Sequence, residues 1–415
     1  MSNTREKLEL SIDNINSMRF VKPSGNLNEK VKHVAVVLCG SRSGSSLLKT
    51  IVSKSKDVAY LAGEEEPYFI LSRNGFPFNS DSDSIKQIDN KQHLLDCIFD
   101  ELGVNCDNDE IDLEQIEKDW RNRIYLQDDR VEPLYLNYSL FRAGFNHLIS
   151  DNFNWSEINQ VTLKDYYNND DTCGYYDIIP ENTRFIKSDN VNRFKIEEPP
   201  YVIPGWKRQV TEKDLESKTL FFKTPQDCYR IGLFEELFPN AEIKYIHLSR
   251  GFAQSVNGLM DGWLSETGFF AHNMDIVDER LNIEGYTDKI TGGDRWWNFD
   301  LPENWRDYKD KPLEEVCLNQ WYSAHKAIFD SNVDALRIKF EDFLERPQET
   351  LNIITEYLDI SPIKTTKLPV VMATNTPSKY RWKKREDIIM KLSQYDKVKD
   401  IMSKLNYKMD PDTWI

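Results

Sequence analysis

The sequence HVAVVLCGSRSGSSLLK, residues 33–49, decides the fold of this chain. It opens with a β-branched apolar run, Val34 to Leu38, which has the length and composition of a buried strand. Small residues follow from Gly40, and apolar residues return from Leu47 at the spacing of one helix face. A strand, a small-residue loop and a helix start predict an anion cradle, because glycine allows close approach and the helix N-terminus offers N–H groups.

The loop between this strand and this helix predicts anion binding. Its candidate binding residues are Arg42, Ser43, Gly44, Ser45 and Ser46. The arginine would add a fixed, forked cation, and the serines would add hydroxyl donors. The nucleoside-triphosphatase form of the loop, G-x-x-x-x-G-K-[ST], has a lysine where this chain has Ser45. A site for magnesium and a triphosphate is therefore disfavoured.

Composition limits the classes of partner. The chain has 415 residues and a formal charge of −16, which argues against nucleic acid and other polyanions. An anionic ligand would therefore need a local basic pocket. The six cysteines are scattered without metal-ligand spacing, which predicts reduced thiols, no metal site and a cytoplasmic location. No apolar run reaches the length of a membrane span, and the N-terminus lacks the apolar core of a signal peptide.

The first half of the chain is predicted to hold an arm, a second strand and an insertion. Residues 1–32 are expected to form a weakly structured arm. The strand DVAYLA at 57–62 ends in consecutive glutamates, Glu64 to Glu66, at the edge where open parallel sheets place their ligands. From about 79 to 215 the acidic composition and partial helical periodicity predict a largely helical insertion. This insertion would form a cap or one wall of a binding site.

The second half of the chain alternates strands with helices. Strands are predicted at 218–225, 242–249 and 335–340, and helices at 229–238, 252–263, 313–331 and 347–358. This alternation implies an α/β fold with parallel strands and right-handed crossovers. The tryptophans at 263–312 either cover the core or line a binding pocket. The basic stretch at 374–385 suits a nucleotide phosphate as well as a solvated surface.

The order of these segments resembles that of the sulfotransferases that use 3′-phosphoadenosine 5′-phosphosulfate (PAPS). The resemblance covers about 33–75 and 218–405. It implies a single domain over 33–405, followed by a tail at 406–415. The implied fold is P-loop-like, with three layers, a sheet of mainly parallel strands and helices on both faces.

Three segments carry what the resemblance implies about nucleotide binding. CGSRSGSSLL looks like the family's 5′-phosphosulfate loop. EIKYIHLSRGFAQS looks like the segment that binds the 3′-phosphate, which implies Arg250 and Ser255, although cytosolic sulfotransferases space this pair more widely. SKYRWKKRED resembles the loop that closes over the nucleotide, and implies Arg381 and Lys383.

The resemblance also implies a glutamate as the catalytic base. The cytosolic branch uses a histidine after the second strand, and no histidine occurs between His33 and His93. The G-E-E sequence is similar to tyrosylprotein sulfotransferases and favours Glu65. E-P-Y-F is similar to heparan sulfate sulfotransferases and favours Glu66, which we prefer. K-T-P resembles the lysine-containing segment of the heparan group, which implies a role for Lys223 at the leaving oxygen.

The implied reaction is in-line transfer of the sulfuryl group from PAPS to a hydroxyl, without a metal, with 3′-phosphoadenosine 5′-phosphate (PAP) as product. The insertion and the tryptophans favour a small-molecule or carrier-bound acceptor over a polyanionic sugar, and the G-E-E match leaves protein tyrosine open. Two alternatives compete with this hypothesis. One is a P-loop small-molecule kinase or other NTPase, and the other is a catalytically inactive nucleotide-binding module of the same fold.

Overall fold

A computed structural model of the chain describes residues 3–105, 113–127, 196–197, 207–265, 269–365, 367–371 and 378–414. Its strands are β1 His33–Cys39, β2 Val58–Tyr60, β3 Gly103–Asn105, β4 Lys207–Gln209, β5 Thr219–Phe222, β6 Glu242–Ser249, β7 Phe270–Asn273, β8 Trp296–Asn298 and β9 Ala335–Lys339.

The helices of the first half are α1 Asn3–Arg19, α2 Leu27–Lys30, α3 Ser45–Val52, α4 Glu66–Leu71, α5 Lys91–Glu101, α6 Leu113–Gln127, α7 Glu212–Ser217 and α8 Leu233–Leu237. Those of the second half are α9 Phe252–Trp263, α10 Leu313–Asp330, α11 Phe340–Glu345, α12 Pro347–Leu358, α13 Glu386–Leu392 and α14 Asp396–Lys404. Short 3₁₀ helices lie at Pro225–Tyr229, Met274–Val277, Gly293–Arg295, Trp305–Asp307, Arg381–Arg385 and Pro411–Thr413.

The main sheet has seven strands in the order β4-β3-β2-β5-β1-β6-β9. From β2 to β9 the neighbouring strands are parallel, with β1 at the centre between β5 and β6. The β3 and β4 strands are antiparallel to their neighbours and extend the β2 side. A separate antiparallel pair joins β7 and β8. The predicted α/β architecture of mainly parallel strands is confirmed.

Both faces of the sheet are covered. Val34, Val36 and Leu38 of β1 belong to a buried cluster that includes side chains of α1, α5 and α10. The alternate residues Ala35 and Val37 belong to another cluster, built with α3 and α12. Because successive side chains of a strand point to opposite faces, this division shows helices on each face. The central strand is therefore buried on both sides, which explains its unbroken apolar sequence.

The expectation of a weakly structured arm at the N-terminus is wrong. Residues 3–19 form α1, which packs against α4, α6 and the 3₁₀ helix Met274–Val277. Its buried apolar side chains are Leu8, Ile12, Ile15 and Met18. They recur every three or four residues and make one apolar stripe on an otherwise polar helix. Because this stripe is narrow and polar or charged residues surround it, the composition of the segment did not indicate a helix.

The acidic insertion contributes more than helices. The described part of 79–215 contains α5, α6 and α7, as predicted, but also β3 and β4. These strands pair with each other and, through β3, with β2, so the insertion extends the main sheet. The predicted helix at 229–238 is instead a 3₁₀ helix followed by the shorter α8. The division into arm, domain and tail stays a prediction.

Two further observations concern the described residues only. None of their helices combines the length and the apolar character that a membrane span requires. The cysteines among them, Cys39, Cys97, Cys228 and Cys317, are all buried free thiols. Burial raises the pKa of the Cys39 thiol to about 11, so this side chain next to the loop is a small apolar group at neutral pH.

Candidate active site

A cavity of about 580 Å³ opens where the parallel strands of the sheet end. Its walls include residues that follow four different strands: Ser41 and Arg42 after β1, Gly63 and Glu64 after β2, Lys223 after β5, and Arg250 after β6. The carboxyl ends of parallel strands meet at one edge, so the topology gathers residues that are far apart in sequence. The volume lies within the range of pockets that enclose small-molecule ligands.

The loop after β1 is shaped by a close contact at Gly44. The backbone there has φ +91°, a conformation that favours glycine. A Cβ atom at this position would lie 2.1 Å from Cε2 of Phe340, so no side chain fits without displacing that ring. The loop therefore turns tightly into α3, which begins at Ser45 with its first N–H groups available. Ser45 and Ser46 line the cavity beside it.

Two arginines of the predicted site lie together in the cavity wall. Nη1 of Arg250 donates to the carbonyl oxygen of Arg42 at 3.0 Å, which ties the end of β6 to the loop after β1. The Arg42 guanidinium lies 5.1 Å from the ring centre of Phe269, and that of Arg250 lies 5.2 Å from the ring of Phe340. Aromatic contacts hold both guanidinium groups, so the positive charge of this end of the cavity has a fixed position.

Lys223 joins the loop to the acidic turn. Its Nζ lies 3.3 Å from Oγ of Ser46 and forms an ion pair with Glu64. Burial lowers the pKa of Lys223, but Glu64, with smaller contributions from Cys39 and Glu65, outweighs burial and raises it. The lysine is thus held as a cation at the start of α3, where an anion would sit.

The acidic turn separates the two candidate bases. Glu66 lines the cavity, whereas Glu65 is only 2% exposed and does not line it. The N–H of Glu65 donates to Oγ1 of Thr224 at 3.3 Å, and its carboxylate lies beside the buried Asp227. The structure therefore gives Glu66 access to a bound molecule and places Glu65 in the protein interior.

A buried arginine holds Glu66 in place. Nη1 of Arg230 lies 2.6 Å from Oε2 of Glu66, and Nε of the same arginine lies 3.0 Å from Oδ1 of Asp227. The guanidinium also stacks 3.9 Å from the ring centre of Phe69. Burial raises the pKa of the Glu66 carboxyl and Asp83 raises it further, although Arg230 opposes both. A carboxylate with a raised pKa and a fixed orientation suits proton transfer.

The other predicted nucleotide-binding residues divide into two groups. Arg381 lines the cavity and is paired with Asp261 at 2.6 Å. Ser43, Ser255 and Lys383 do not line it. Oγ of Ser255 donates at 3.2 Å to the carbonyl oxygen of Arg250. Nζ of Lys383 lies 5.1 Å from the ring centre of Tyr380. Residues 374–377 of the basic stretch lie outside the described residues.

The tryptophan-rich segment serves both purposes that the sequence left open. Trp263, Trp297 and Trp305 are completely buried and belong to one large apolar cluster. Trp296 instead lines the cavity, together with Phe299 and other aromatic side chains. Core formation therefore accounts for most of these rings, and one of them contributes to the binding surface.

Comparisons with known proteins add little to this geometry. The sequence matches no family model and no curated protein. Among solved structures, it is similar to a sulfotransferase domain from the curacin biosynthetic pathway, with a TM-score of 0.37, 11% identity, and coverage of 92% of this chain and 99% of that one. A sulfotransferase domain from the Synechococcus PCC 7002 olefin synthase gives a TM-score of 0.30 and 12% identity, over 92% of this chain and 86% of that one.

Sequence reasoning missed two groups on the cavity wall. Lys49 of α3 is buried, donates to the carbonyl oxygen of Gly63 and has its pKa lowered to about 8 by burial and by the nearby Lys223. Its position one helical turn after Ser45 was a usable signal. His272 also lines the cavity, in β7. No local pattern could have placed this histidine at the site.

Proposed function

We propose that this protein is a sulfotransferase that moves the sulfuryl group of PAPS to a hydroxyl of a small-molecule or carrier-bound acceptor. One observation carries the proposal: a glycine-dependent anion loop, with Arg42, Lys223 and Arg250 around it, opens into the same cavity as Glu66. The cations offer a place for a phosphosulfate, and the glutamate offers a place for the acceptor proton. The resemblance in the order of the sequence segments points to the same reaction.

The loop end of the cavity fits the donor nucleotide. The N–H groups at the start of α3 and the hydroxyls of Ser45 and Ser46 would bind the 5′-phosphosulfate. Arg250 would bind the 3′-phosphate, supported by Arg381 at the edge of the cavity. Lys49 adds a further positive charge on the same helix. Position 44 has no room for a side chain, because the Phe340 ring occupies that space, and glycine lets the loop backbone turn tightly into α3.

PAPS, when bound, supplies an activated sulfuryl group. The residues of this chain then have three tasks, which are to orient the nucleotide, to accept a proton and to balance charge on the leaving oxygen. Glu66 would accept the proton of the acceptor hydroxyl as the hydroxyl oxygen bonds to sulfur. Lys223 and the loop N–H groups would stabilise the bridging oxygen as its bond to sulfur breaks and its electrons stay with PAP.

The other end of the cavity favours an acceptor with an apolar body. Leu8 of α1, Ile70 of α4 and Ile276 of the 3₁₀ helix after β7 line it, with Phe76 and Trp296. These side chains offer large apolar faces in the same cavity that Glu66 lines. A hydroxyl-bearing molecule could bury its apolar part there while its hydroxyl reaches the glutamate.

The first test is calorimetric titration of the full chain with PAP, with and without Mg²⁺, and with ATP for comparison. We expect PAP to bind without Mg²⁺ and R250A to weaken binding by about 30-fold or more, the equivalent of losing one buried charged contact of about 2 kcal/mol. The control variant is R346A, because Arg346 is exposed and pairs with residues of its own segment.

Each of the other outcomes identifies a competing function. Binding of ATP that depends on Mg²⁺, with no binding of PAP, would contradict the proposal and support a kinase or NTPase. Tight PAP binding without any release of PAP from PAPS, in the presence of a panel of neutral alcohols, would support an inactive nucleotide-binding module.

A further inference from the structure

Asp300 is a buried carboxylate that joins two of the segments around the cavity. The residue is 1% exposed and lies shortly after β8. Its Oδ1 accepts from Oγ of Ser41 at 2.5 Å, and its Oδ2 accepts from the hydroxyl of Tyr229 at 2.7 Å. Ser41 lies in the loop after β1 and lines the cavity, whereas Tyr229 ends the 3₁₀ helix that follows β5. One side chain therefore ties the anion loop to the segment that follows Lys223.

The main chain around Asp300 is fixed by two buried side chains. The carbonyl oxygen of Asp300 accepts from Nε1 of Trp297 at 2.9 Å and from Nε2 of Gln320 at 2.7 Å. Gln320, in α10, also donates to the carbonyl oxygen of Asn298 at 2.8 Å. Because these contacts hold the backbone at positions 298 and 300, the carboxylate approaches the anion loop from a fixed position.

Two residues with unusual backbone angles adjoin this contact. Arg42, which follows Ser41, has φ +63°, and Phe299, which precedes Asp300, has φ +62°. Residues other than glycine rarely adopt such values, which cost free energy and persist where surrounding contacts hold them. The rings of Phe299 and Phe269 stack with centres 4.7 Å apart, and the Arg42 guanidinium lies 5.1 Å from the Phe269 ring. The hydrogen bond from Ser41 to Asp300 joins the two strained segments directly.

The hydroxyl of Ser41 is committed to this contact. Because a hydroxyl has one proton, Ser41 cannot donate to a bound anion while it donates to Asp300. Burial raises the pKa of Asp300 to about 6, although the hydrogen bonds from Ser41 and Tyr229 oppose burial. The carboxyl group is therefore ionised at neutral pH and accepts from both hydroxyls. Hydrogen bonds to an ionised acceptor are stronger than those between neutral groups.

We propose that Asp300 is a positioning residue for the donor nucleotide, and that its contacts with Ser41 and Tyr229 hold the anion loop in the shape that binds the phosphosulfate. This inference rests on the proposed function and adds to it two residues, Asp300 and Tyr229, that lie outside the cavity wall formed by the described residues. They would act on the nucleotide only through the loop. A loop held in place before the nucleotide arrives loses less conformational freedom on binding, which raises affinity.

The first part of the test is calorimetric titration of Y229F with PAP, in the full chain. This substitution removes one hydroxyl that Asp300 accepts, without altering the cavity wall. We expect PAP to bind roughly 3- to 10-fold more weakly, as for the loss of one hydrogen bond. Y245F is the matched control, because Tyr245 is also buried and donates to a carboxylate, that of Glu235 at 2.6 Å, away from the cavity. Y245F should leave PAP affinity unchanged.

The second part is a double-mutant cycle between S41A and D300A. Each should weaken PAP binding by roughly 10-fold, and the double variant should bind PAP no more weakly than D300A alone, because both substitutions remove the same contact. D119A is the control for D300A, since Asp119 in α6 is a buried carboxyl that accepts from Gln115 at 2.8 Å. Urea unfolding shows which variants are folded. If D300A does not fold, Y229F replaces it in the cycle.

The outcomes separate this inference from the function on which it depends. If the unaltered protein binds PAP and both Y229F and D300A bind it equally well, Asp300 is only structural, so the inference is wrong and the sulfotransferase proposal stands. If S41A weakens binding as much beside D300A as it does alone, Ser41 contacts the nucleotide directly, and the inference is again wrong. If the unaltered protein does not bind PAP, the sulfotransferase proposal fails first, and the positioning role fails with it.

Discussion

The residue that constrains the candidate site most tightly is Gly44. Its positive φ and its contact with the Phe340 ring act together, since one restricts the backbone and the other excludes a side chain. Phe340 begins α11, directly after β9, so the loop after the central strand is shaped by the far edge of the sheet. The cradle thus depends on tertiary packing that the sequence G-S-S does not reveal.

We predict that G44A lowers both PAP affinity and stability. The methyl group would lie 2.1 Å from the ring, and the residue would keep a strained positive φ, which together should cost more than about 1 kcal/mol. G25A is the matched control, because Gly25 also has positive φ, +58°, but meets nothing within 4 Å. Urea unfolding and PAP titration would measure the difference. Equal effects of the two substitutions would show that Phe340 is not the constraint.

At the level of elements, α1 both fills part of the core and lines the cavity. It fills one face of the fold with four apolar side chains, and one of these, Leu8, also lines the cavity. The helix therefore contributes both to stability and to the proposed acceptor wall. Its polar composition explains why it was expected to be an arm.

We expect I12A to destabilise the protein by about 2–4 kcal/mol, because Ile12 is completely buried and its loss leaves a cavity. L10A is the control, since Leu10 is 62% exposed on the same helix and should change stability by less than about 0.5 kcal/mol. Denaturant unfolding of the full chain measures both. A small effect of I12A would mean that α1 is not anchored in the core.

The elements also show how far sequence reasoning reached. Strand 242–249 and helices 252–263 and 347–358 were predicted to the residue, because each is long and has a clear apolar pattern. The β3 and β4 strands were missed, because three residues carry no periodicity and pairing alone defines them. Glu64 to Glu66 were placed at the ligand edge from the predicted topology, whereas Lys223 and Arg250 were implied by the family resemblance. Asp83 and His272, 189 residues apart, could be joined only by tertiary structure.

For the whole molecule, the net negative charge affects how an anionic ligand reaches the cavity. The formal charge of −16 should repel an anionic nucleotide at long range, while the cations of the cavity attract it at short range. Salt screens the long-range component most strongly, because the Debye length shrinks to about 10 Å at 0.1 M. Encounter and final binding should therefore respond to salt in opposite ways.

We predict that the association rate constant of PAP rises with added salt while the equilibrium affinity falls. The first reflects screened repulsion by the acidic surface, and the second reflects weakened contacts with groups such as Arg250. Stopped-flow measurements over a salt series would give the association and dissociation rate constants of PAP, and their ratio gives the affinity. Adenosine, which carries no charge, is the control ligand. An association rate that falls with salt would show that the field of the cavity controls encounter.

The close approach of the insertion to the acidic turn limits which substitutions two positions can accept during evolution. A Cβ atom at Gly63 would lie 2.0 Å from Nη2 of Arg123 in α6, and that arginine is buried between Glu101 and Glu197. Positions 63 and 123 are therefore mutually constrained across the boundary of the insertion. In a diverging lineage, a side chain at position 63 would require Arg123 to leave its ion pairs or position 123 to become smaller first. These two positions should covary among homologues, and the insertion should have been inherited together with the acidic turn.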